Sequence, residues 1–149
     1  MAVKKADPRE EILGQERVMQ QDMRRLRANY PENAAYIQCY VEDACDRMDY
    51  EGSRMYDEHP DKYMMRKVCD SIHSQIRRDS GRMGVESGFC RRCGNLPDEA
   101  LQDLIEVLFF NEVYRRRCRR RRCRRLYRGV SAKVRRVSRK LHLGLAVLS

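Results

Sequence analysis

The sequence has no tryptophan, and its 149 residues include only 3 phenylalanines, 4 prolines and 8 glycines. These are too few prolines and glycines for the tight turns of a β-sandwich, and the composition excludes a collagen-like or mucin-like chain. The longest apolar runs, at 107–110 and 143–148, fall well short of the roughly 18 residues of a transmembrane helix, which excludes a polytopic membrane protein. Much of the 42% hydrophobic content is Met, Cys, Tyr and Ala, so we expect a small, methionine-rich core.

Positive charge is concentrated in the second half of the chain. Residues 1–80 contain 14 basic and 16 acidic residues, whereas residues 81–149 contain 18 basic and 6 acidic residues. Within the second half, residues 113–140 carry 15 Lys or Arg, 13 of them Arg, and no acid. This asymmetry predicts a polyanion or an anionic surface as the partner. Arginine suits phosphate because its planar guanidinium can donate two hydrogen bonds to one phosphate group.

Apolar residues recur at helical spacing and predict an all-α fold, a small helical bundle with a long fourth helix. Three amphipathic helices are expected within residues 1–80, separated at Pro31 and Pro60. The apolar stripe of the first includes Met19 and Leu26. The second helix either breaks at Gly52 or continues through it to about residue 58, with 3-4 spacing throughout.

The second half is predicted to contain a linker and two further helices. Residues 81–96 contain Gly and Ser and are expected to be a flexible linker. Residues 97–149 are expected to begin with the long fourth helix, which ends at Gly129, and to finish with a basic amphipathic tail helix. The apolar face at 101–110 is expected to complete a bundle with the first three helices. The basic part of the fourth helix has few apolar residues, so we expect it to project into solvent.

The most extreme feature is the arginine tract, residues 115–125, in which nine of eleven positions are Arg. These charges repel at i,i+4 on one helix, so we expect a partner to supply counter-charge, as RNA or DNA phosphates do. The tract has no Asn or Gln to read base edges, so binding is expected to be largely independent of sequence. Tyr114 and Tyr127 are candidates to stack on bases. The predicted nucleic-acid-binding residues are Arg115, Arg116, Arg117, Arg119, Arg120, Arg121, Arg122, Arg124, Arg125, Arg128, Lys133, Arg135, Arg136, Arg139 and Lys140.

Two other classes of function are compatible with the sequence. The protein could be structural, with the tail at 130–148 on an anionic membrane surface, or with its basic half docked on acidic faces of other copies in a homo-oligomer. Alternatively, Cys90 and Cys93 have the spacing of half a zinc site, and Cys118 and Cys123 are candidates for the other half. These last two lie about 140° apart around a helix, so one ion does not easily bind both.

No catalytic constellation is recognisable, so the sequence predicts a protein that is not an enzyme and needs no cofactor. Seven acidic residues lie between positions 43 and 61, but no Glu-x-x-His ligand pair of the di-iron type occurs among them. We interpret this acidic cluster as a solvated face, or else as a docking surface for the arginine tract of this molecule or of another subunit. Its members are Asp43, Asp46, Asp49, Glu51, Asp57, Glu58 and Asp61.

Seven cysteines, an odd number, indicate free thiols or metal ligands rather than a disulfide framework. Cys39, Cys45 and Cys69 lie in the predicted bundle helices and are expected to be small core residues. The N-terminal Lys4 and Lys5 are not followed by an apolar run, so we expect no signal peptide and a cytoplasmic protein.

Two blocks of the sequence resemble short uncharacterised helical proteins of anaerobic spore-forming Firmicutes. The first block is VEDACDRMDYEGSRMYDEHPD at 41–61, and the second is the apolar helix that runs from Leu101 through Tyr114 to Cys118. The tail beyond Gly129 lies outside the resemblance. The group has no established activity, so the resemblance implies a small bacterial protein without catalytic function and assigns no functional residue.

Overall fold

A computed structural model describes residues 6–82 and 96–146. Side chains are described at 6–81, at 96–124 and at Leu126. Within these residues the chain forms four α-helices and no strand, which confirms the predicted helical bundle with a long fourth helix. The elements are α1 (Pro8–Arg27), α2 (Glu32–Met48), a 3₁₀ turn (Arg54–Tyr56), α3 (Lys62–Arg82) and α4 (Asp98–Ala146).

The chain divides into two compact units. The bundle unit is Gln21–Arg117 and contains α2, the 3₁₀ turn, α3 and the first part of α4. The terminal unit combines Met1–Gln20 with Cys118–Ser149, and its described residues belong mainly to α1 and to the rest of α4.

The core of the bundle unit is built by α2, α3 and α4. Their apolar residues recur every three or four positions and so form one face of each helix, and burying that face stabilises helices that would be marginal alone. The predicted intramolecular packing of the 101–110 face is confirmed for the second and third helices. It is wrong for the first, because α1 contributes no residue to this core. The buried core residues are Ile37, Val41, Ala44, Cys45, Met55, Met65, Cys69, Ile72, Ile76, Leu101, Ile105, Leu108, Phe109 and Val113.

Between α2 and α3 the chain turns at Gly52. α2 ends at Met48, so the alternative of a helix reaching about residue 58 is wrong. Gly52 has a φ of +82°, a left-handed conformation that glycine adopts without the steric penalty of a side chain. The hydroxyl of Ser53 then accepts a hydrogen bond from the backbone N–H of Met55 at 3.3 Å. This turn places the Met55 side chain in the core, where it is fully buried.

Three further expectations need correction. The apolar stripe of α1 is not a buried face, because Met19 and Leu26 are 48% and 64% exposed. α4 does not end at Gly129 but continues to Ala146, since one glycine in a helix costs only about 1 kcal/mol and no proline follows it. α3 extends to Arg82, into the predicted linker 81–96, of which residues 83–95 lie outside the described residues. In the described part of the chain, no helix has the length and apolar character that spanning a membrane requires.

Candidate nucleic-acid interface

The arginine tract lies on α4, and its residues occupy two different environments. Positions 115–117 belong to the bundle unit, where Arg116 is only 8% exposed. Positions 119–124 belong to the terminal unit, where most of the arginines are exposed.

The arginines of the bundle unit surround a buried carboxylate, that of Glu112. Glu112 is 1% exposed and accepts hydrogen bonds from Arg115 Nε at 3.0 Å, Arg116 Nε at 2.8 Å and Arg27 Nη2 at 2.6 Å. Burial would raise the pKa of Glu112, but the hydrogen bonds from Arg115, Arg116 and Arg27 outweigh burial and lower the pKa to about 2. The carboxylate thus stays ionised inside the protein because three guanidinium groups hold it.

Arg116 also connects Glu112 to the acidic cluster. Its Nη2 lies 2.6 Å from Asp46 Oδ1, and its Nη1 lies 3.2 Å from Asp49 Oδ2. Burial lowers the pKa of Arg116, but hydrogen bonds to Glu112 and Asp46 more than compensate and raise it. Of the alternatives considered for the acidic cluster, docking of the molecule's own arginine tract is therefore correct for Asp46 and Asp49.

Arg117 binds backbone rather than side-chain oxygens. Its Nη1 donates to the carbonyl oxygens of Met55 at 2.8 Å and Asp57 at 2.5 Å, and its Nη2 donates to that of Glu58 at 3.4 Å. Arg117 thereby holds the connection between α2 and α3. For positions 115–117, the expectation that the basic part of α4 projects into solvent is wrong, since these arginines are used within the fold.

In the terminal unit a second buried acid, Glu16 of α1, contacts the arginine tract. Glu16 is 6% exposed, accepts a hydrogen bond from Arg122 Nε, and places Oε2 4.0 Å from Arg119 Nε. The hydrogen bond to Glu16 raises the pKa of Arg122. Burial, followed by the charge of Glu16, raises the pKa of the neighbouring Cys123 thiol. Sequence reasoning identified neither Glu16 nor Glu112, although Glu112 lies three and four residues before Arg115 and Arg116, a spacing typical of helical ion pairs.

Two arginines of the terminal unit are exposed and have no ion-pair partner among the described residues. Arg121 and Arg124 are exposed, and they form no ion pair or hydrogen bond with any residue that the structure describes. Arg119 and Arg122 are also exposed, but both lie beside Glu16. Arg120 is half-buried and makes a contact of its own. The remaining predicted contacts have side chains outside the described residues, namely Arg125, Arg128, Lys133, Arg135, Arg136, Arg139 and Lys140.

Only two of the four proposed zinc ligands, Cys118 and Cys123, lie in the described part of the chain. There, no group of three or more His, Cys, Asp or Glu side chains is arranged to hold a metal ion. Cys90 and Cys93 lie outside the described residues, so the zinc site that they suggest stays a prediction. Of the candidates for the other half, Cys118 is half-buried and Cys123 is buried.

The cysteines of the bundle helices differ in exposure. Cys45 and Cys69 are fully buried, which confirms their assignment to the core, and desolvation by burial raises the pKa of each thiol to about 12. Cys39 is exposed, so its assignment to the core is wrong. It lies on the face of α2 opposite the core, where the helical period places it two residues from both Ile37 and Val41.

Comparison with known proteins adds no relative, since the chain matches no protein-family model, no curated protein and no solved structure. The resemblance to short proteins of Firmicutes therefore stays a prediction.

Proposed function

We propose that this protein binds the phosphate backbone of RNA or DNA through exposed arginines of α4, with little dependence on base sequence. The observation that carries the proposal is the pair Arg121 and Arg124. Both are exposed and have no ion-pair partner in the described part of the chain, and both lie in a stretch, 113–140, that contains no acid. Like charges spaced along one helix destabilise it unless opposite charge is supplied. Nucleic-acid phosphates supply that charge, and the release of condensed cations favours the complex.

The fold divides the arginine tract into structural and binding parts. Moving Arg116 onto a phosphate would leave Glu112 buried with fewer partners, and breaking a buried ion pair costs about 3–5 kcal/mol. We therefore assign phosphate binding to the exposed arginines at 119–124 and to the basic residues that follow them on α4. Positions 115–117 are assigned to the stability of the bundle unit.

The proposed binding is non-catalytic and sequence-independent. Arginine contacts to phosphate position a protein on nucleic acid, whereas sequence is read at base edges, where Asn and Gln recognise adenine. The stretch 113–140 has neither of these amides. We therefore expect single-stranded RNAs of different sequences to bind with similar affinity at a given salt concentration, and duplex DNAs of different sequences likewise.

The test measures binding to labelled single-stranded RNA and to labelled duplex DNA at increasing salt concentration. Fluorescence anisotropy of the labelled nucleic acid is the readout. The full-length protein is compared with the double variant Arg121→Gln/Arg124→Gln. For a single strand, each phosphate contact contributes about 0.7 to the slope of log K against log salt, so losing two contacts should reduce the slope by about 1.4. The matched control is Arg24→Gln/Arg66→Gln, which removes the same charge from two exposed positions outside the tract.

The result distinguishes the proposal from its rivals. Equal slopes for the two double variants would refute phosphate binding by the exposed arginines. If nucleic acid does not bind, two further measurements test the alternative functions predicted from the sequence. Assembly onto acidic faces of other copies would raise the molar mass with protein concentration, and a membrane-surface role would make the protein sediment with phosphatidylserine vesicles.

A further inference from the structure

Glu16 is the single buried residue of α1, and it is an acid that contacts the proposed binding surface. Its carboxylate accepts from Arg122 Nε through Oε1 and lies 4.0 Å from Arg119 Nε through Oε2. Two guanidinium groups of the terminal unit thus share one internal anion. A bound phosphate would accept hydrogen bonds from the same two guanidinium groups.

We infer that Glu16 acts as an internal competitor of phosphate, which lowers the affinity of the arginine tract for nucleic acid. The inference rests on the proposed function. A phosphate that takes the place of Glu16 on Arg122 leaves the buried Glu16 carboxylate without its partner, which is costly. A phosphate that binds beside Glu16 instead meets a like charge a few ångströms away. Either route weakens the contribution of Arg119 and Arg122 to binding.

The competitor divides the exposed arginines into two classes. Arg121 and Arg124 bind phosphate without losing an internal ion pair, because no described residue pairs with them. Arg122 is 37% exposed but must share its charge with Glu16. We therefore expect removal of Arg122 to cost less affinity than removal of Arg121, although both are arginines of the same helix.

The first test is the variant Glu16→Gln, which keeps the shape and one hydrogen-bond acceptor but removes the charge. It should bind single-stranded RNA at least about fivefold more tightly, because removing a like charge about 4 Å from a phosphate has that effect even at the dielectric constant of water. The control is Glu11→Gln, which removes an exposed acid from the same helix and should change affinity much less because solvent and salt screen it. Circular dichroism of both variants reports whether α1 and α4 remain helical.

The second test removes single arginines, both with Glu16 present and with Glu16 replaced by glutamine. Arg121→Gln and Arg122→Gln are compared in the wild-type chain, where Arg122→Gln should lose less affinity. In the Glu16→Gln background, Arg122→Gln should lose more affinity than it does in the wild type, which is the coupling that a double-mutant cycle measures. Equal losses for Arg121→Gln and Arg122→Gln, with no coupling to Glu16, would overturn the inference. The proposed function would survive that result as long as Arg121→Gln/Arg124→Gln still weakens binding, and it would fail if that double variant binds like the wild type.

Discussion

Replacing Glu112 by glutamine should destabilise the bundle unit by about 3 kcal/mol at neutral pH. The pKa of this carboxyl falls from 4.5 to about 2 in the folded protein, a difference worth about 3 kcal/mol at about 1.4 kcal/mol per pKa unit. Breaking a buried ion pair gives an independent figure of about 3–5 kcal/mol. Small domains are stable by about 5–15 kcal/mol, so Glu112→Gln should remove a large part of the total.

The same substitution predicts a specific dependence on pH. Because the folded pKa is below the unfolded pKa, the stabilisation by Glu112 is fully present above about pH 4.5 and is lost as the pH falls towards 2. The wild type and Glu112→Gln should therefore differ most near neutral pH and converge as the pH approaches 2. Urea unfolding followed by circular dichroism measures both free energies across this range.

An exposed glutamate provides the matched control for this prediction. Glu51→Gln removes the same charge from an exposed position in the same unit and should change stability by no more than about 0.5 kcal/mol. A Glu112→Gln protein as stable as the wild type at neutral pH would refute the role of the buried carboxylate. If the difference in free energy of unfolding between the wild type and Glu112→Gln stayed constant down to pH 2, the destabilisation would have a cause other than the lost charge.

Two further predictions concern the turn and the thiols. Gly52→Ala should destabilise the protein by about 1–2 kcal/mol, because φ at this residue is +82°. Gly14→Ala, in an open position on α1, should stabilise the protein by about 0.5–1 kcal/mol. Urea unfolding of both variants measures the two free-energy changes, which should have opposite signs. Iodoacetamide at mildly alkaline pH should modify the exposed Cys39 well before Cys45 and Cys69, because burial raises the pKa of the latter two thiols to about 12. Peptide mass spectrometry measures the order of modification, and equal rates would contradict the assigned burial.

The core could be predicted from the sequence because the spacing of apolar residues directly marks a buried helical face. The position of Arg116 could not, since an arginine-rich pattern indicates solvent exposure. Its main partner outside α4, Asp46, lies 70 residues earlier in the chain, so the pair exists only in the folded protein. The spacing from Glu112 to Arg116 was the one local sign that part of the tract is neutralised within the fold.

Two glycines show why helix ends were harder to predict than helices. Gly52 and Gly129 both interrupt a helical pattern, yet the chain turns at the first and continues as a helix through the second. At Gly52, the turn is supported by the next residue, because Ser53 caps the 3₁₀ turn that buries Met55. At Gly129 the following residues continue the apolar spacing, and the small helix penalty of glycine does not end α4.

The most direct test of the central claim is the salt dependence of single-stranded RNA binding by the wild type and by Arg121→Gln/Arg124→Gln. Truncation before the tract is a poorer test, because Val113 and Arg116 belong to the buried part of the bundle unit. If the exposed arginines of α4 bind phosphate, the slope of log K against log salt is less steep in the double variant by about 1.4. Identical slopes and affinities in the two proteins would contradict the account.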